Sequence, residues 1–394
     1  MGTGGLSSVT LAIGNQSMRI LQLISSAGYY GAENVLVCLA ESLRSAGHEN
    51  LIGVFHNQHR PNTEIADRAR TLALPTVIFP CRGRLDRDAI ASIQQCVRDN
   101  DIDLIHTHGY KSNIYGILAA RAARVPMVAT CHNWPALTLP LRLYSILDRM
   151  VLHKANHVVA VSENVRRRLR HFAISRRKIS VIQNGVDTRR FASAQPVLRQ
   201  ELGLNGRTVV GAVGRLSSEK GHKFLLEAAP RLFAEFPDLA VVFVGAGPEQ
   251  PALESLAKEF NLQDRVFFAG FRNDMPQVYA SIDIFVLPSL EEAMPLTMLE
   301  AMAAGLPVVA SDVGDIGKTI GSSDCGLLVQ PGSAEELLAA LARVLRDPAL
   351  RAALGANARA RVHSAFSIQR TAAQYLEVYQ SVLHARRSWR YELA

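Results

Sequence analysis

Cysteine is scarce in this chain and forms no framework. The five cysteines, Cys38, Cys81, Cys96, Cys131 and Cys325, are odd in number, far apart and include no CxxC pair. That excludes a disulfide-stapled scaffold and a cysteine metal knot, and it suits a reducing compartment. Long hydrophobic runs are missing too: no apolar stretch reaches the roughly 18–20 residues of a membrane-spanning helix. The opening segment 1–17 is rich in Gly and Ser, with no basic n-region and no cleavage site. It reads as a disordered tail rather than a signal peptide, with Met18 as an alternative start. Two nucleotide-binding signatures are also absent. No GxxxxGKS/T occurs, which argues against a P-loop NTPase. The pair Gly245-Ala-Gly247 is followed by Gln250 where GxGxxG needs its third glycine, and no acidic residue follows at the ribose offset. A nicotinamide dehydrogenase is therefore disfavoured.

What is present is an ordinary globular composition, 48% hydrophobic and 20% charged over 394 residues, enough for two cores. The net charge of +8 is unevenly spread: residues 1–190 hold 24 Lys and Arg against 13 Asp and Glu, and residues 191–394 hold 19 against 22. A basic half calls for an anionic partner: nucleic acid, an anionic membrane surface or a phosphorylated substrate. The surplus concentrates in Arg166-Arg167-Arg168-Leu169-Arg170 and Arg176-Arg177-Lys178. Upstream, Arg142, Arg149 and Lys154 are interleaved with Leu141, Leu143, Tyr144, Ile146, Leu147 and Met150. No recognition module accompanies these charges, so nucleic acid is disfavoured. Two readings remain, a solvated helix face and an amphipathic basic surface for anionic lipid headgroups or a lipid-phosphate acceptor.

From Met18 onward one unit repeats: a short apolar strand, a loop, an amphipathic helix. Strands are expected over 19–24, 51–55, 76–79, 104–106, 127–130, 157–161 and 179–182, then over 208–213, 240–244, 266–268, 284–287, 308–310 and 326–329. Helices are expected over 32–45, 87–99, 220–236, 248–260 and 335–345, among others. Continuous rather than alternating apolar strands mean sheets covered on both faces, hence parallel sheets with crossover helices. The fold class is α/β, with more strands than one sheet holds comfortably. The rhythm breaks near 184–204, at Asn184-Gly185 and Pro196. Two Rossmann-like domains are expected, 18–190 and 191–367, facing across a cleft, with the last helix (368–394) packing back on the first.

The segment 288–305 carries the most chemistry. After the strand at 284–287 come Glu291 and Glu292, then Pro295, a helix from Leu296, and the stop Gly305-Leu306-Pro307. Pro295 suits the first helical position. Glu292 and Glu300 lie eight residues apart, which on a continuous helix is about 12 Å. That exceeds the roughly 5–9.5 Å of a glycosidase acid/base pair. A ligand spanning the helix start fits better, with phosphates on the free N–H groups and polar groups at each side; two solvated carboxylates are the bland alternative. Arg215 and Lys220 follow the strand at 208–213, where an anionic phosphate would give two loop cations a purpose. Gly245 and Gly247 would let a phosphate approach backbone. His106 and His108 alternate at a strand end without a third metal ligand nearby, and Asp101-Ile102-Asp103 sits before a strand as a solvated turn.

These residues, in this order, resemble glycosyltransferase family 4, the retaining enzymes of GT-B fold. Glu292-x7-Glu300 resembles its donor motif, and Gly214-Arg215-Leu-Ser-Ser-Glu-Lys220-Gly221 its phosphate loop. Asn184-Gly185-Val186-Asp187 resembles the element closing the first domain. Gly31-Ala32-Glu33 resembles the glycine loop after the first strand, with Tyr30 where glycine is usual. His132 resembles a cleft histidine near the transferred sugar. The likeness spans essentially Met18 to the last helix, and Ala293 replaces the usual glycine. It implies a UDP- or GDP-sugar donor held by Gly214, Arg215, Lys220, Gly245, Gly247, Phe271, Glu292, Ala293, Met294, Pro295, Leu296, Thr297 and Glu300. Glu300 would take the ribose hydroxyls and Glu292 the donor sugar, with Arg215, Lys220, Glu292 and His132 as the catalytic set. Gly31, Glu33, His108 and Asn184 would face the acceptor or the cleft; for Glu33 a helix-dipole role weighs equally.

The implied reaction moves a sugar to an acceptor hydroxyl with retention, on a carbohydrate or lipid-linked acceptor, in bacterial surface polysaccharide or glycolipid assembly. No metal and no cofactor are called for, because the nucleotide sugar is a substrate. The expected setting is cytoplasmic, with peripheral attachment at the inner face of the membrane if the basic face binds it. A nucleotide-sugar epimerase of the same fold and a non-catalytic nucleotide-sugar or lipid-surface binding protein are the rivals.

Overall fold

The computed structural model describes residues 17–391 except 27, 60, 84, 133–138 and 323, with backbone only for 139–146 and 387–391. The 1–16 part of the expected tail, Asn133, and the side chains of Arg142, Leu141, Leu143, Tyr144 and Ile146 lie outside the described residues.

Among the described residues, thirteen strands form two sheets. The first contains β1 (Arg19–Ile24), β2 (Glu49–Asn57), β3 (Thr76–Cys81), β4 (Leu104–His108), β5 (Met127–Cys131), β6 (His157–Ala160) and β7 (Ile179–Val181). Their spatial order is β3-β2-β1-β4-β5-β6-β7. The second contains β8 (Thr208–Val213), β9 (Leu239–Val244), β10 (Val266–Phe268), β11 (Ile284–Leu287), β12 (Val308–Ser311) and β13 (Leu327–Val329), ordered β10-β9-β8-β11-β12-β13. Every pairing between these strands is parallel. Strands such as β9 and β11 are buried at every position, as sheets covered by helices on both faces require.

In each sheet the chain winds outward one way, then returns to the centre and winds the other. The reversals fall between β1 and β4 and between β8 and β11. Ligand crevices open at the carboxyl ends of strands at such switch points. The loops that leave β8 and β11 are those carrying Arg215 and Glu292.

The final helix, Ile368–Tyr391, returns to the first sheet. It is tied in at its start, where Val186 N–H donates to Phe366 and Ile368 N–H to Val186. Gly185 is needed there, since a Cβ would collide with Thr371 and the backbone of Ile368. Ile368, Ala372, Tyr375, Val378, Tyr379 and Val382 then pack against Ile20, Leu39, Leu104 and Val128. At the opposite end of the sheet, Arg19 pairs with Asp101 and its N–H donates to Asp103. The Asp-x-Asp is a turn, remote from the crevice.

Candidate functional site

A cavity of about 470 Å³ lies between the two sheets at their carboxyl ends. Gly31 of the first half and Gly214, Arg215, Lys220, Gly245, Phe271, Glu292, Met294, Pro295, Leu296, Thr297 and Glu300 of the second line it, so most of the expected donor set converges there. Gly247, Ala293, Glu33, His108, His132 and Asn184 do not line it.

The basic loop is shaped by packing against its neighbours. Leu216 N–H donates to Ala246, Gly214 N–H to Val244 and Gly245 N–H to Gly270. Gly245 has φ +136°, and a Cβ on it would strike the Gly214 carbonyl; one on Gly247 would strike the Leu216 carbonyl. These glycines let three loops close on each other, and only Gly245 also reaches the cavity. The chain then turns through Ser218–Lys220, and Leu290 N–H donates to the Glu219 carbonyl at 2.8 Å, joining this loop to the one after β11. Lys220 Nζ meets Glu292 Oε1 at 2.5 Å, and Ser289 Oγ donates to the same oxygen at 2.9 Å. Arg215 is exposed and has no ion-pair partner among the described residues.

The helix after β11 runs Leu296–Ala303. Pro295 stands at its N-cap, one position before the expected first helical residue, because its ψ of 117° is extended. Proline brings no side-chain cap, so the first-turn N–H groups have no capping side chain, and such a helix start attracts anions. Thr297 Oγ1 is buried without a hydrogen-bond partner at the same point, which marks a place where a polar ligand would fit. Glu292 precedes the helix, so Glu292 and Glu300 stand on a loop and a helix rather than on one helical ladder.

Glu300 is 5% exposed and receives two hydrogen bonds, from Tyr279 OH at 2.9 Å and from Asn34 Nδ2 at 3.0 Å. Burial pushes its pKa up to about 7, with those donors and Arg190 pulling the other way. Asn34 comes from the helix Gly31–Ser45 of the first half, so this bond crosses the cleft. Asn184 Nδ2 also crosses it, donating to Met294 at 3.4 Å, and Glu163 N–H donates to Asp315 at 2.7 Å. Ala293 packs against the apolar core of the first half.

Glu33 sits at the third position of the Gly31 helix and accepts the Tyr30 N–H at 3.0 Å. It is a helix-start partner, and burial raises its pKa. His108 and His132 lie beside each other at the ends of β4 and β5, with Nδ1 of the first 3.2 Å from Nε2 of the second. No group of three or more His, Cys, Asp or Glu among the described residues could hold a metal ion. Asn34, Tyr279, Arg68 and Arg190 belong to the site without having been singled out. Arg68 and Arg190 are part of the basic excess of the first half; nothing local marks the other two.

Two doubly wound parallel sheets facing across a cleft that gathers a basic loop, an uncapped helix start and two carboxylates define the GT-B class of glycosyltransferases. Residues 29–190 match the model described as Glycosyltransferase Family 4, and residues 194–361 match Glycosyl transferases group 1. The chain belongs to this family and is a glycosyltransferase. It is 32% identical to a phosphatidyl-myo-inositol mannosyltransferase of Mycolicibacterium smegmatis, over 89% of this chain and 90% of that one. It is 29% identical to an Escherichia coli UDP-Gal:alpha-D-GlcNAc-diphosphoundecaprenol alpha-1,3-galactosyltransferase, over 83% and 88%. Among solved structures, Anabaena HepE in complex with UDP superposes with a TM-score of 0.80 at 26% identity, covering 92% of this chain and all of that one. No described helix is long and apolar enough to cross a membrane.

Proposed function

We propose that this glycosyltransferase transfers a sugar, with retention of anomeric configuration, from a UDP- or GDP-sugar to a hydroxyl of a carbohydrate or lipid-linked acceptor. The observation that carries the donor reading is the convergence on one cavity of Arg215, Lys220, the uncapped helix start with Thr297, and the carboxylates Glu292 and Glu300. In this reading the diphosphate sits between the basic loop and the helix start, Glu300 accepts from ribose hydroxyls, and Glu292, already held by Lys220 and Ser289, takes hydroxyls of the transferred sugar. Breaking the glycosidic bond leaves negative charge on the departing diphosphate. Arg215, Lys220 and the N–H groups of the helix start are placed to stabilise it. Neither carboxylate among the described residues lining the cavity stands free as a covalent nucleophile: Glu292 is paired with Lys220 and Glu300 is hydrogen-bonded deep in the wall. That favours attack from the face the diphosphate leaves, with a phosphate oxygen receiving the acceptor proton. His132, at the end of β5 and outside the lining of the cavity, is assigned a contact to the transferred sugar, with His108 behind it, Asn184 bridging the cleft to Met294 and Glu33 holding the start of the Gly31 helix.

UDP is favoured over GDP by the neighbours crystallised with UDP and UDP-glucose. Relatives that act on phosphatidylinositol and on a diphospho-undecaprenol sugar favour a lipid-linked acceptor in glycolipid or polysaccharide assembly. Such an acceptor gives the Arg166–Arg170 and Arg176–Lys178 charges a purpose at an anionic membrane face.

The test is a panel of UDP- and GDP-sugars, reading thermal stabilisation and slow donor hydrolysis, with the anomer first released followed by proton NMR. Stabilisation by one donor and release of the retained anomer are expected. Interconversion of donor alone to a stereoisomer would favour the epimerase, and no response to any nucleotide sugar would overturn the reading.

A further inference from the structure

A line of buried side chains runs from His48, far from the cleft, to the ring of His132. The His48 backbone carbonyl can only accept, and Asn50 Nδ2 donates to it at 3.4 Å. That leaves Asn50 Oδ1 as an acceptor, and Gln22 Nε2 donates to it at 3.4 Å. The remaining amide atom of Gln22, Oε1, can only accept, and His108 Nε2 lies 3.0 Å away. His108 must therefore carry its proton on Nε2, which leaves Nδ1 unprotonated in a neutral ring. His132 Nε2 stands 3.2 Å from that nitrogen and must donate to it. Each step has one allowed direction, set by a carbonyl that has no proton to give. Gln22, Asn50 and His108 are all buried, at 0%, 4% and 2% exposure, so water does not compete for these positions.

We propose that this one-way relay holds His132 in the Nε2–H tautomer, with its Nδ1 lone pair as the one free acceptor, and that Gln22 and His108 are its positioning residues. Two observations support it. Burial depresses the basicity of both rings, His132 to a pKa of about 4 and His108 well below its ordinary value, so the neutral forms the relay needs prevail at physiological pH. His108 is also clamped between rings, 4.1 Å from that of His106 and 5.5 Å from that of His132. Nδ1 of His132 has no protein partner among the described residues, and His132 is partly exposed. Resting on the reading of His132 as a sugar contact, Nδ1 accepts from a sugar hydroxyl and does not donate to a phosphate oxygen.

The experiment is a two-bond proton–nitrogen correlation on the full chain labelled with 15N-histidine at pH 7.5, assigned with His132→Gln and His108→Gln. The proposal expects protonated Nε2 and unprotonated Nδ1 at both histidines. Gln22→Leu, which removes the acceptor, is expected to give mixed tautomers at His108 and His132. A protonated Nδ1 on His132 in the unmodified protein, or tautomers unmoved by Gln22→Leu, would overturn it. The unmodified spectrum decides alone if Gln22→Leu does not fold. It needs no nucleotide, so failure of nucleotide-sugar binding would sink the transferase reading separately.

Discussion

Glu300 is a buried carboxyl whose protonation is linked to stability and, in the proposed reading, to nucleotide binding. Its pKa of about 7 lies above the ordinary 4.5, so between those values the folded state holds a proton the unfolded state has released. Stability therefore falls as pH rises through that window, by on the order of 3 kcal/mol if the whole shift is expressed. Glu300→Gln keeps the hydrogen bonds with Tyr279 and Asn34 available. It should flatten the fall, raising the melting temperature at pH 8 more than at pH 5 in paired calorimetric scans. If ribose hydroxyls bind the ionised form, UDP affinity should rise as pH increases through 7, and Glu300→Gln should abolish that rise. Arg215 and Lys220 give the simpler test. Loss of a charge-assisted contact to phosphate costs about 1.5–3 kcal/mol, so Arg215→Ala should weaken donor binding roughly tenfold or more. Its exposed side chain leaves the melting temperature unchanged.

At the scale of elements, the site depends on loops that touch through glycine. Gly314 has φ +60°, and a Cβ there would strike the Glu292 carbonyl. Gly314→Ala should displace the Glu292 loop and weaken donor-sugar binding more than UDP binding, measured by titrating UDP and UDP-glucose in parallel. The strands were legible because buried parallel strands are runs of Val, Ile, Leu and Phe bounded by glycine and polar turns, as at Leu239–Val244. Arg215, Lys220 and Glu292 were legible because short spacings fix them on the loops after β8 and β11. Asn34 and Tyr279 were not, since each acts through a bond to Glu300 made only by tertiary packing, in Asn34's case across 266 residues. Pro295 was misplaced by one position because its ring is compatible with either the N-cap or the first helical turn.

At the scale of the molecule, the last helix and the cleft bonds make the halves one machine. The helix Ile368–Tyr391 begins beside Val186 and Gly185, beyond β7, and covers the first sheet. Tyr379 is fully buried on it and bonds His106 Nδ1 at 2.7 Å. Tyr379→Ala should cost about 3–5 kcal/mol, read as a lower midpoint in urea. Among the described residues the halves are joined across the cleft by Asn34 to Glu300, Asn184 to Met294, Glu163 to Asp315 and Arg168 to Glu291, and a bound nucleotide touching both walls would add to their union. In the proposed reaction a nucleoside diphosphate occupies the cavity between the sheets, against Arg215 and Lys220. Calorimetric titration with UDP and GDP tests it most directly. One site per chain is expected for at least one of them, weakened roughly tenfold or more by Arg215→Ala and by Lys220→Ala. Absence of binding by either nucleotide, or affinity unchanged in both variants, would contradict it.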